Sequence, residues 1–378
     1  MGGAGVYLRN IVQHLACLDR DNEYFLLVGL HNRDIFQTDQ SNFHQVMLPG
    51  KMSQRPLRIF IENFLAPFFS WRVGADVIFS PNTLPPWTRE PSVLLIQNLL
   101  YYHFEQLVAP TIKLLPLTSR LYSRAQDLYY RAAIRNSIRR ADRVISVSNN
   151  TQRETLDFAC TDHTAKFTVI PHGVGKEFRV FSAQEVQEAR EHLPQLPNRF
   201  ILSVTTVSPY KNVDKLISAY ELFLRLKNVD HKLVIVGHQW PGYFEEIQSL
   251  VLEKGLSQNV LFLPYTPSGQ MPAFYNLSDV AVLLSSCESF GLPIIEAMAC
   301  GKPVVVSNRS SLPEVSGSAG ILVDPNDPTA VAKALHTAVS NPTVRQRMIT
   351  QGLERAATFT WEKTAKQTLE VLREAATS

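Results

Sequence analysis

Residues 288–305 read ESFGLPIIEAMACGKPVV, and this stretch decides the fold. It follows an apolar, strand-like run over residues 279–284 and ends in a second such run that begins at Pro303. Gly291 allows the backbone to approach a ligand closely, and Pro293 suits the first turn of a helix. The order is therefore strand, loop, helix, turn and strand, which is typical of a parallel α/β domain.

The same stretch places two carboxylates around the start of the predicted helix. Free amides at a helix N-terminus, together with the helix dipole, favour a bound diphosphate. Glu288, on the loop, is placed to accept hydrogen bonds from sugar hydroxyls, and Glu296, near the helix start, is placed to bind a ribose diol. Their spacing suits the two ends of one ligand better than a general acid–base pair. Two plainer interpretations stay open: Glu288 as a solvated loop acid, and Glu296 as a carboxylate that the helix dipole stabilises.

The rest of the chain repeats this alternation of strand and helix. Most strand-like runs are continuously apolar, as expected for strands that are buried on both faces. The predicted strands cover residues 24–30, 43–48, 76–80, 92–97, 143–147, 167–170, 199–204, 232–237, 259–263, 279–284, 303–307 and 320–323. Asp327-Pro328 and Asn341-Pro342 predict two helix starts, since a capping side chain precedes a proline in each.

A polar stretch over residues 177–198 separates two such α/β series. We therefore predict a Rossmann-like domain over residues 1–180, a second over 181–360, and a closing helix over 361–378. The chain opens on a glycine-rich segment, Gly2-Gly3-Ala4-Gly5, followed by an amphipathic helix, the second half of a strand–loop–helix phosphate site. We expect the strand of that site to precede Met1, and its loss would leave two strands with unpaired edges.

Composition narrows the function classes. The 378 residues carry a formal net charge of +3, which does not indicate general nucleic-acid binding. Four scattered cysteines form no CxxC pair, which argues against a zinc site or a disulfide framework. No apolar run reaches the ~18 residues of a membrane-spanning helix, and no signal-type segment opens the chain, so a cytoplasmic protein is expected.

Five sequence blocks resemble the retaining glycosyltransferases of family 4, and they follow one another along the chain in the order usual for that family. The stretch at 288–305 resembles the family signature. The other blocks are the glycine segment at 2–5, Val169-Ile170-Pro171-His172-Gly173-Val174, Ser208-Pro209-Tyr210-Lys211-Asn212, and Pro313-Glu314-Val315 followed by Ala319-Gly320. Because the blocks extend over nearly the whole chain, the resemblance implies the GT-B fold. In that α/β architecture two Rossmann-like domains face each other across a cleft, and the second binds the nucleotide sugar. The resemblance also implies that the closing helix over 361–378 returns toward the first domain.

The resemblance implies transfer of a hexose from a UDP-, GDP- or TDP-linked donor to a glycan or lipid-linked glycan acceptor, in cell-surface polysaccharide synthesis. It implies retention of configuration and no metal or other cofactor. Lys211 and Glu288 are the implied catalytic residues: Lys211 neutralises the departing diphosphate, and Glu288 contacts the sugar. The implied substrate-binding residues are Gly3, Gln97, Thr206, Lys211, Tyr265, Glu288, Phe290, Gly291, Leu292 and Glu296. An Asp-x-Asp at residues 19–21 is interpreted as a polar turn and not as a metal site.

Three positions depart from the family pattern. Gln97-Asn98 stands where many members carry His-Asp; Gln97 can hydrogen-bond a sugar hydroxyl but cannot titrate near neutral pH. Tyr210 stands where an arginine usually precedes the lysine, and Thr205-Thr206 replaces a pair that contains glycine. Gln97, Tyr210 and the missing first strand favour an alternative, a non-catalytic relative that binds nucleotide or glycan or scaffolds an assembly complex. The intact acidic residues and lysine of the family pattern oppose it.

The first half of the chain carries the positive charge. Residues 1–180 contain 20 Lys and Arg against 15 Asp and Glu, and the remainder contains 17 against 19. A predicted helix over residues 119–140 carries four arginines on one stripe, and an apolar stretch over residues 59–71 is flanked by three more. These are Arg120, Arg124, Arg131 and Arg135 on the helix, and Arg55, Arg58 and Arg72 beside the apolar stretch. Such a surface suits anionic lipid, so peripheral docking on the inner membrane leaflet is one hypothesis. A solvated arginine face over a core helix is the alternative.

Overall fold

The computed structural model describes residues 3–48, 64–81, 83–84, 88–98, 100–107, 117–227 and 229–377. These residues form two compact α/β units. The N unit contains the described residues up to Tyr102, residues 117–173 and residues 360–377. The C unit contains residues 103–107 and 174–359. The chain therefore leaves the N unit after Gly173 and returns to it at Thr360.

All twelve predicted strands are present, each within two residues of its predicted bounds. The strands are β1 (Tyr24–Gly29), β2 (Phe43–Leu48), β3 (Ile78–Pro81), β4 (Ser92–Ile96), β5 (Arg143–Ser146), β6 (Phe167–Val169), β7 (Phe200–Val204), β8 (Lys232–Val236), β9 (Val260–Leu263), β10 (Val280–Leu283), β11 (Val304–Ser307) and β12 (Gly320–Val323). Every strand pair is parallel, as the continuous apolar runs predicted.

Helices connect these strands. They are α1 (Gly3–Leu18), α2 (Ala66–Val73), α3 (Phe104–Leu107), α4 (Leu117–Arg140), α5 (Asn149–Ala159), α6 (Ala183–His192), α7 (Val213–Leu224), α8 (Tyr243–Glu253), α9 (Met271–Leu277), α10 (Leu292–Ala299), α11 (Leu312–Ser316), α12 (Pro328–Ser340), α13 (Pro342–Ala357) and α14 (Trp361–Ala376). Short 3-10 turns cover Leu30–Phe36, Thr164–Lys166, Pro209–Lys211, Ser268–Gln270 and Gly317–Ala319. The two predicted caps are present: Asp327 accepts from the Ala330 amide, and Asn341 accepts from the Val344 amide.

The C unit is a doubly wound sheet of order β12-β11-β10-β7-β8-β9. Strand order runs outward from the middle in both directions, so the reversal lies between β7 and β10. One face of the sheet packs on α7, α8 and α12, with Ile201, Ile217 and Leu335 in its core. The other face packs on α9 and α10, with Leu202, Phe274 and Ile294 in its core. Both faces are therefore buried, and the carboxyl ends of the strands are left for a ligand.

The described strands of the N unit form two sheets, β1-β2 and β3-β4-β5-β6. The strands β4 and β5 are central in the larger sheet, and Leu94, Ile134 and Phe158 belong to its core. The predicted glycine loop differs from expectation, because Gly3 is already the first residue of α1. Gly2 lies outside the described residues.

The C-terminal helix α14 packs in the N unit against α1. Tyr7 on α1 is fully buried, and its ring centre lies 5.0 Å from that of His172 and 5.8 Å from that of Trp361 on α14. A Cβ on Gly173 would lie 2.1 Å from the Trp361 backbone nitrogen, so this close approach requires glycine. Burial lowers the pKa of His172 to about 3, which keeps it neutral and fits a structural residue.

Asp19, in the predicted polar turn after α1, is a buried structural acceptor. Its carboxylate accepts from the Tyr24 hydroxyl at 2.5 Å and from Asn22 Nδ2 at 2.7 Å. Arg373 of α14 lies 3.4 Å from the same carboxylate. The turn thereby ties α14 to α1 and β1.

The predicted arginine stripe lies on α4, and the structure corrects it. Arg131 pairs with Asp127 at 3.6 Å. The Arg135 guanidinium donates to the Phe158 carbonyl at 2.9 Å and lies 4.6 Å from the centre of that ring. Arg131 therefore pairs within α4, and Arg135 ties α4 to α5, so the alternative of a solvated arginine face does not hold for these two arginines.

The predicted apolar stretch over residues 59–71 is described only in part. Arg55, Arg58 and Phe60 lie outside the described residues, whereas Phe64, Phe68 and Trp71 are exposed. In the ranges that the structure covers, no helix combines the length and apolar character needed to span a membrane.

Candidate functional site

The candidate site lies at the strand reversal of the C unit. In doubly wound sheets, ligands bind beyond the carboxyl ends of the two strands that flank this reversal. The turn Pro209–Lys211 follows β7, and the loop that contains Glu288 follows β10. The topology therefore brings together two residues that are 77 positions apart in the sequence.

Lys211 and Glu288 form an ion pair across the reversal. Nζ of Lys211 lies 2.5 Å from Oε1 of Glu288, and the two side chains are only 12% and 16% exposed. Ser285 Oγ donates to the same carboxylate oxygen at 2.8 Å. Burial has the largest single effect and lowers the pKa of Lys211, but the Glu288 carboxylate, Tyr210 and Cys287 together outweigh burial and raise this pKa. Lys211 therefore carries a full positive charge at neutral pH.

Tyr210 occupies the position where the family usually has arginine. Its ring centre lies 4.9 Å from Nζ of Lys211, within the range of a cation–π interaction. The aromatic residue thus contacts the lysine instead of supplying a second cation to the site.

A left-handed residue holds the Lys211 turn in place. Asn212 has φ 54° and ψ 40°, a conformation that asparagine tolerates better than most residues. Its buried Nδ2 donates to the Leu284 carbonyl at 2.6 Å and to Ser286 Oγ at 2.8 Å. The Ser286 amide in turn donates to the Tyr210 carbonyl at 2.8 Å. Three hydrogen bonds therefore tie the turn after β7 to the loop after β10.

Two serines after β11 fix the backbone of the Glu288 loop. Ser310 Oγ accepts from the Glu288 amide at 3.1 Å and donates to the Glu288 carbonyl at 2.7 Å. Ser311 Oγ lies 2.8 Å from the Glu288 carbonyl and 3.0 Å from the Phe290 carbonyl, so its proton is shared between them. These bonds hold the backbone of Glu288 and leave its carboxylate to pair with Lys211.

The N-terminus of α10 lies directly after the Glu288 loop. Gly291, which precedes it, has φ 105°, and a Cβ there would lie 2.7 Å from Leu312 Cδ2. Pro293 has no N–H, and the Ile294 amide already donates to the Gly291 carbonyl at 2.9 Å. An anion bound here would therefore use the amides of Gly291 and Leu292, with the helix dipole behind them. Phe290 is buried, with its ring 5.5 Å from that of Phe359, and anchors the loop.

Glu296 lies one turn into α10 and has a different environment from Glu288. Tyr275 Oη donates to its Oε2 at 2.8 Å. Burial raises the pKa of Glu296 to about 7; the Tyr275 hydrogen bond opposes this rise, and Glu177 adds to it. Glu296 is therefore a carboxyl group that changes protonation near neutral pH.

The remaining predicted residues lie at strand ends or loops. Thr206 follows β7, and Tyr265, on the loop after β9, is exposed. Gly3 and Gln97 belong to the N unit, Gly3 at the first position of α1 and Gln97 directly after β4, where it is buried. Within the C unit, the structure thus brings Lys211 and Glu288 into contact.

Asn212 belongs to one of the blocks quoted from the sequence, but the sequence did not single out the other supporting residues. They are Tyr275, Ser285, Ser286, Ser310 and Ser311. The polar run over residues 308–311, directly after a buried strand, is the signal that could have identified the last two. Tyr275 lies in an apolar helix segment and has the sequence pattern of a core aromatic residue.

Comparison with known proteins covers both units. Residues 1–178 match glycosyltransferase family 4, and residues 185–355 match glycosyl transferases group 1. The solved structure of HepE from Anabaena, in complex with UDP and glucose, aligns with a TM-score of 0.71 at 20% identity. That alignment covers 98% of this chain and 96% of HepE.

Two curated relatives come from Escherichia coli. O-antigen chain mannosyltransferase B is 34% identical over 171 residues, which is 45% of this chain and 44% of the relative. Serotype-specific mannosyltransferase WbdA is 31% identical over 235 residues, which is 61% of this chain and 28% of the relative. The matched region therefore spans less than half of the length of either relative.

Proposed function

Because this chain belongs to glycosyltransferase family 4 and has the GT-B fold, we propose that it transfers a hexose from a nucleotide sugar to a hydroxyl of a glycan or lipid-linked glycan. The observation that carries this proposal is the largely buried Lys211–Glu288 pair beside the N-terminus of α10. One cation and one carboxylate lie there with the two backbone amides, a set suited to a sugar diphosphate.

In the proposed mechanism, the donor diphosphate lies against the Gly291 and Leu292 amides and takes Lys211 as its counterion. Glu288 then accepts hydrogen bonds from the sugar hydroxyls, and Glu296 accepts from the ribose diol. Negative charge develops on the nucleoside diphosphate as the glycosidic bond breaks, and Lys211 with the helix dipole stabilises it. We propose that this stabilisation replaces a metal ion and that transfer retains the anomeric configuration.

Lys211 and Glu288 neutralise each other in the structure, so the donor has to compete for both. A diphosphate offers Lys211 two or more charges in place of one, and sugar hydroxyls offer Glu288 the donors it loses from Lys211. The pair thereby keeps two charged groups in place and prevents either from being buried without a partner.

The relatives guide the choice of donor and acceptor. HepE was solved with UDP and glucose, and the two curated relatives are mannosyltransferases, one of them of the O-antigen chain. We propose a UDP-, GDP- or TDP-linked hexose as donor and a glycan of cell-surface polysaccharide, free or lipid-linked, as acceptor. A lipid-linked acceptor would place the reaction at the cytoplasmic face of the membrane.

A donor screen tests the proposal. UDP-, GDP- and TDP-sugars are incubated with the chain, and nucleoside diphosphate release is followed with and without EDTA. Release from one donor, lost in Glu288→Ala and unchanged by EDTA, is the expected result. Release that EDTA abolishes would contradict the metal-free mechanism. The anomeric proton coupling of the product, measured by NMR, tests retention.

Two residues support a second candidate function, a non-catalytic relative that binds nucleotide or glycan. Tyr210 stands in place of a cation, and the buried Gln97 stands in place of a histidine. Calorimetry with UDP, GDP and TDP distinguishes the two functions. Nucleotide binding by a folded chain that releases diphosphate from no donor would favour the binding protein.

A further inference from the structure

The Lys211 ammonium group contacts two side chains of different kinds. Its Nζ lies 2.5 Å from Oε1 of Glu288 and 4.9 Å from the centre of the Tyr210 ring. The lysine side chain is only 12% exposed, so both contacts are largely shielded from water. A cation that lies over an aromatic ring interacts with it more strongly when water is excluded. The ring is therefore a second partner for the charge of Lys211.

The contact between ring and ammonium does not follow from adjacency in the sequence. Pro209–Lys211 is a 3-10 turn, in which consecutive side chains point about 120° apart. The backbone of this turn is fixed, because the Lys211 amide donates to the Ser208 carbonyl at 3.0 Å and the Ser286 amide donates to the Tyr210 carbonyl at 2.8 Å. The ammonium group therefore reaches the ring through the conformation of the lysine side chain.

Donor binding affects the two partners of Lys211 differently. In the proposed mechanism, the donor diphosphate takes the place of Glu288 as the counterion of the lysine. The diphosphate competes with this carboxylate because both are anions. An aromatic ring attracts the cation through its face and leaves the other sides of the ammonium group open to an anion. The contact with Tyr210 can therefore persist while Lys211 exchanges its counterion.

We infer that Tyr210 is a positioning residue, whose ring holds the Lys211 ammonium group in place while its counterion changes from Glu288 to the donor diphosphate. Because the ring adds no positive charge, the departing nucleoside diphosphate is held by one cation at positions 210 and 211 and leaves more readily than from two. The inference rests on the proposed function and names a residue that acts through Lys211.

Two substitutions in the full chain separate the ring from the hydroxyl group. Tyr210→Phe keeps the ring and should leave kcat and the Kd of nucleoside diphosphate within about twofold of the natural values. Tyr210→Leu removes the ring and should lower kcat about tenfold, weaken nucleoside diphosphate binding about fivefold and raise the donor KM less than it lowers kcat. Initial rates of diphosphate release and calorimetry with UDP, GDP and TDP measure these effects.

The pH profile of kcat supplies a readout that packing alone would not change. The ring stabilises the charged form of Lys211, so its removal should lower the pKa of this lysine. The alkaline limb of the profile should then begin at a lower pH in Tyr210→Leu than in Tyr210→Phe. Glu288 and Cys287, which also raise the pKa of Lys211, are present in both variants.

Tyr210→Arg tests the effect of charge at this position. A second cation should strengthen the binding of nucleoside diphosphate about tenfold in calorimetry, which requires no turnover. Tyr243→Leu is the matched control, because Tyr243 is also a partly buried tyrosine of the C unit, and its hydroxyl donates to Asp214 at 2.9 Å. This control should lower the melting temperature and leave both nucleotide binding and the alkaline limb unchanged.

The outcomes distinguish this inference from the proposed function. A natural kcat and pH profile in Tyr210→Leu, equal losses in the leucine and phenylalanine variants, or unchanged affinity in Tyr210→Arg would overturn the inference alone. So would an effect of Tyr243→Leu equal to that of Tyr210→Leu. A natural chain that releases diphosphate from no donor would refute the proposed reaction, and calorimetry of the Tyr210 variants would still test the role of the ring. A folded natural chain that binds no nucleoside diphosphate would overturn both.

Discussion

The Tyr275 hydroxyl donates to Oε2 of Glu296 at 2.8 Å. Glu296 lies on α10, the helix whose N-terminus forms the candidate anion site. Burial raises the pKa of this carboxyl to about 7. A carboxylate accepts from a ribose diol with both oxygens only when it is ionised. We therefore expect the donor KM to fall about tenfold from about pH 6 to about pH 8. Initial rates of diphosphate release measure this, and Glu296→Gln should flatten the profile. A KM of the natural chain that does not change with pH would contradict the assignment.

Glu296 also links stability to pH. Its pKa of about 7 in the folded chain exceeds the ordinary 4.5, so the folded state binds this proton more tightly than the unfolded state does. The stabilisation is complete below about pH 4.5 and is lost as pH rises through about 7. Glu296→Gln, which stays neutral, should raise the free energy of unfolding by about 1–2 kcal/mol at about pH 8 and by much less at about pH 5. Urea unfolding measures this. The exposed Glu354→Gln is the control and should show no such difference.

Removal of Lys211 should separate catalysis from folding. We expect Lys211→Ala to lower kcat by about 100- to 1000-fold, because the departing diphosphate loses the cation that is paired with Glu288. The variant also leaves Glu288 without its ion-pair partner, so the melting temperature should fall. Lys211→Met combined with Glu288→Gln should recover the melting temperature but not the activity. A fully active Lys211→Ala variant would show that the pair is structural only.

Asn212 offers a test of how Lys211 is positioned. Asn212→Ala loses two side-chain hydrogen bonds and places alanine at φ 54°. Asn212→Gly loses the bonds but relieves the backbone strain. We expect unfolding free energies lower by about 2–4 kcal/mol for alanine and about 1–2 kcal/mol for glycine. Both variants should lower kcat more than they raise the donor KM, because Lys211 is displaced from the departing phosphate. Equal stability of the two variants would contradict the role assigned to the backbone.

Gly291 should tolerate no side chain. Gly291→Ala combines an unfavourable φ of 105° with a contact of 2.7 Å to Leu312. Gly255 is a suitable control, since it has φ 67° and a Cβ there meets nothing within 4 Å. We expect Gly255→Ala to cost about 1 kcal/mol of stability, whereas Gly291→Ala costs more and abolishes donor binding. Urea unfolding and nucleotide calorimetry measure the two effects. Retained binding by Gly291→Ala would place the phosphate elsewhere.

The strands could be predicted from sequence because burial on both faces leaves a direct pattern. A run such as Val304–Ser307 is apolar up to its final serine and lies between a proline and a polar loop. The Lys211–Glu288 contact was different. Nothing in local pattern relates residues 77 positions apart, and only the resemblance to a family placed both at one ligand. Their supporting serines were missed, because a serine that bonds a loop backbone has no distinctive spacing.

The arginines of α4 show the same limit. Helical periodicity placed Arg131 and Arg135 on one stripe with Arg120 and Arg124, and that geometry holds. Periodicity cannot show that the Phe158 ring, which comes 23 residues after Arg135, covers the end of the stripe. Tertiary neighbours therefore decided which part of the helix meets solvent.

The return of the chain to the N unit at Thr360 has a genetic consequence. A stop codon at position 360 would delete a segment that lies 180 or more positions from most of its neighbours and would remove no residue of the C unit. Tyr7 and His172 would lose the Trp361 ring that packs against both of them, and Asp19 would lose its ion-pair partner Arg373. Such a late nonsense allele should therefore damage the half of the protein encoded first, while the half encoded next to the lesion still folds.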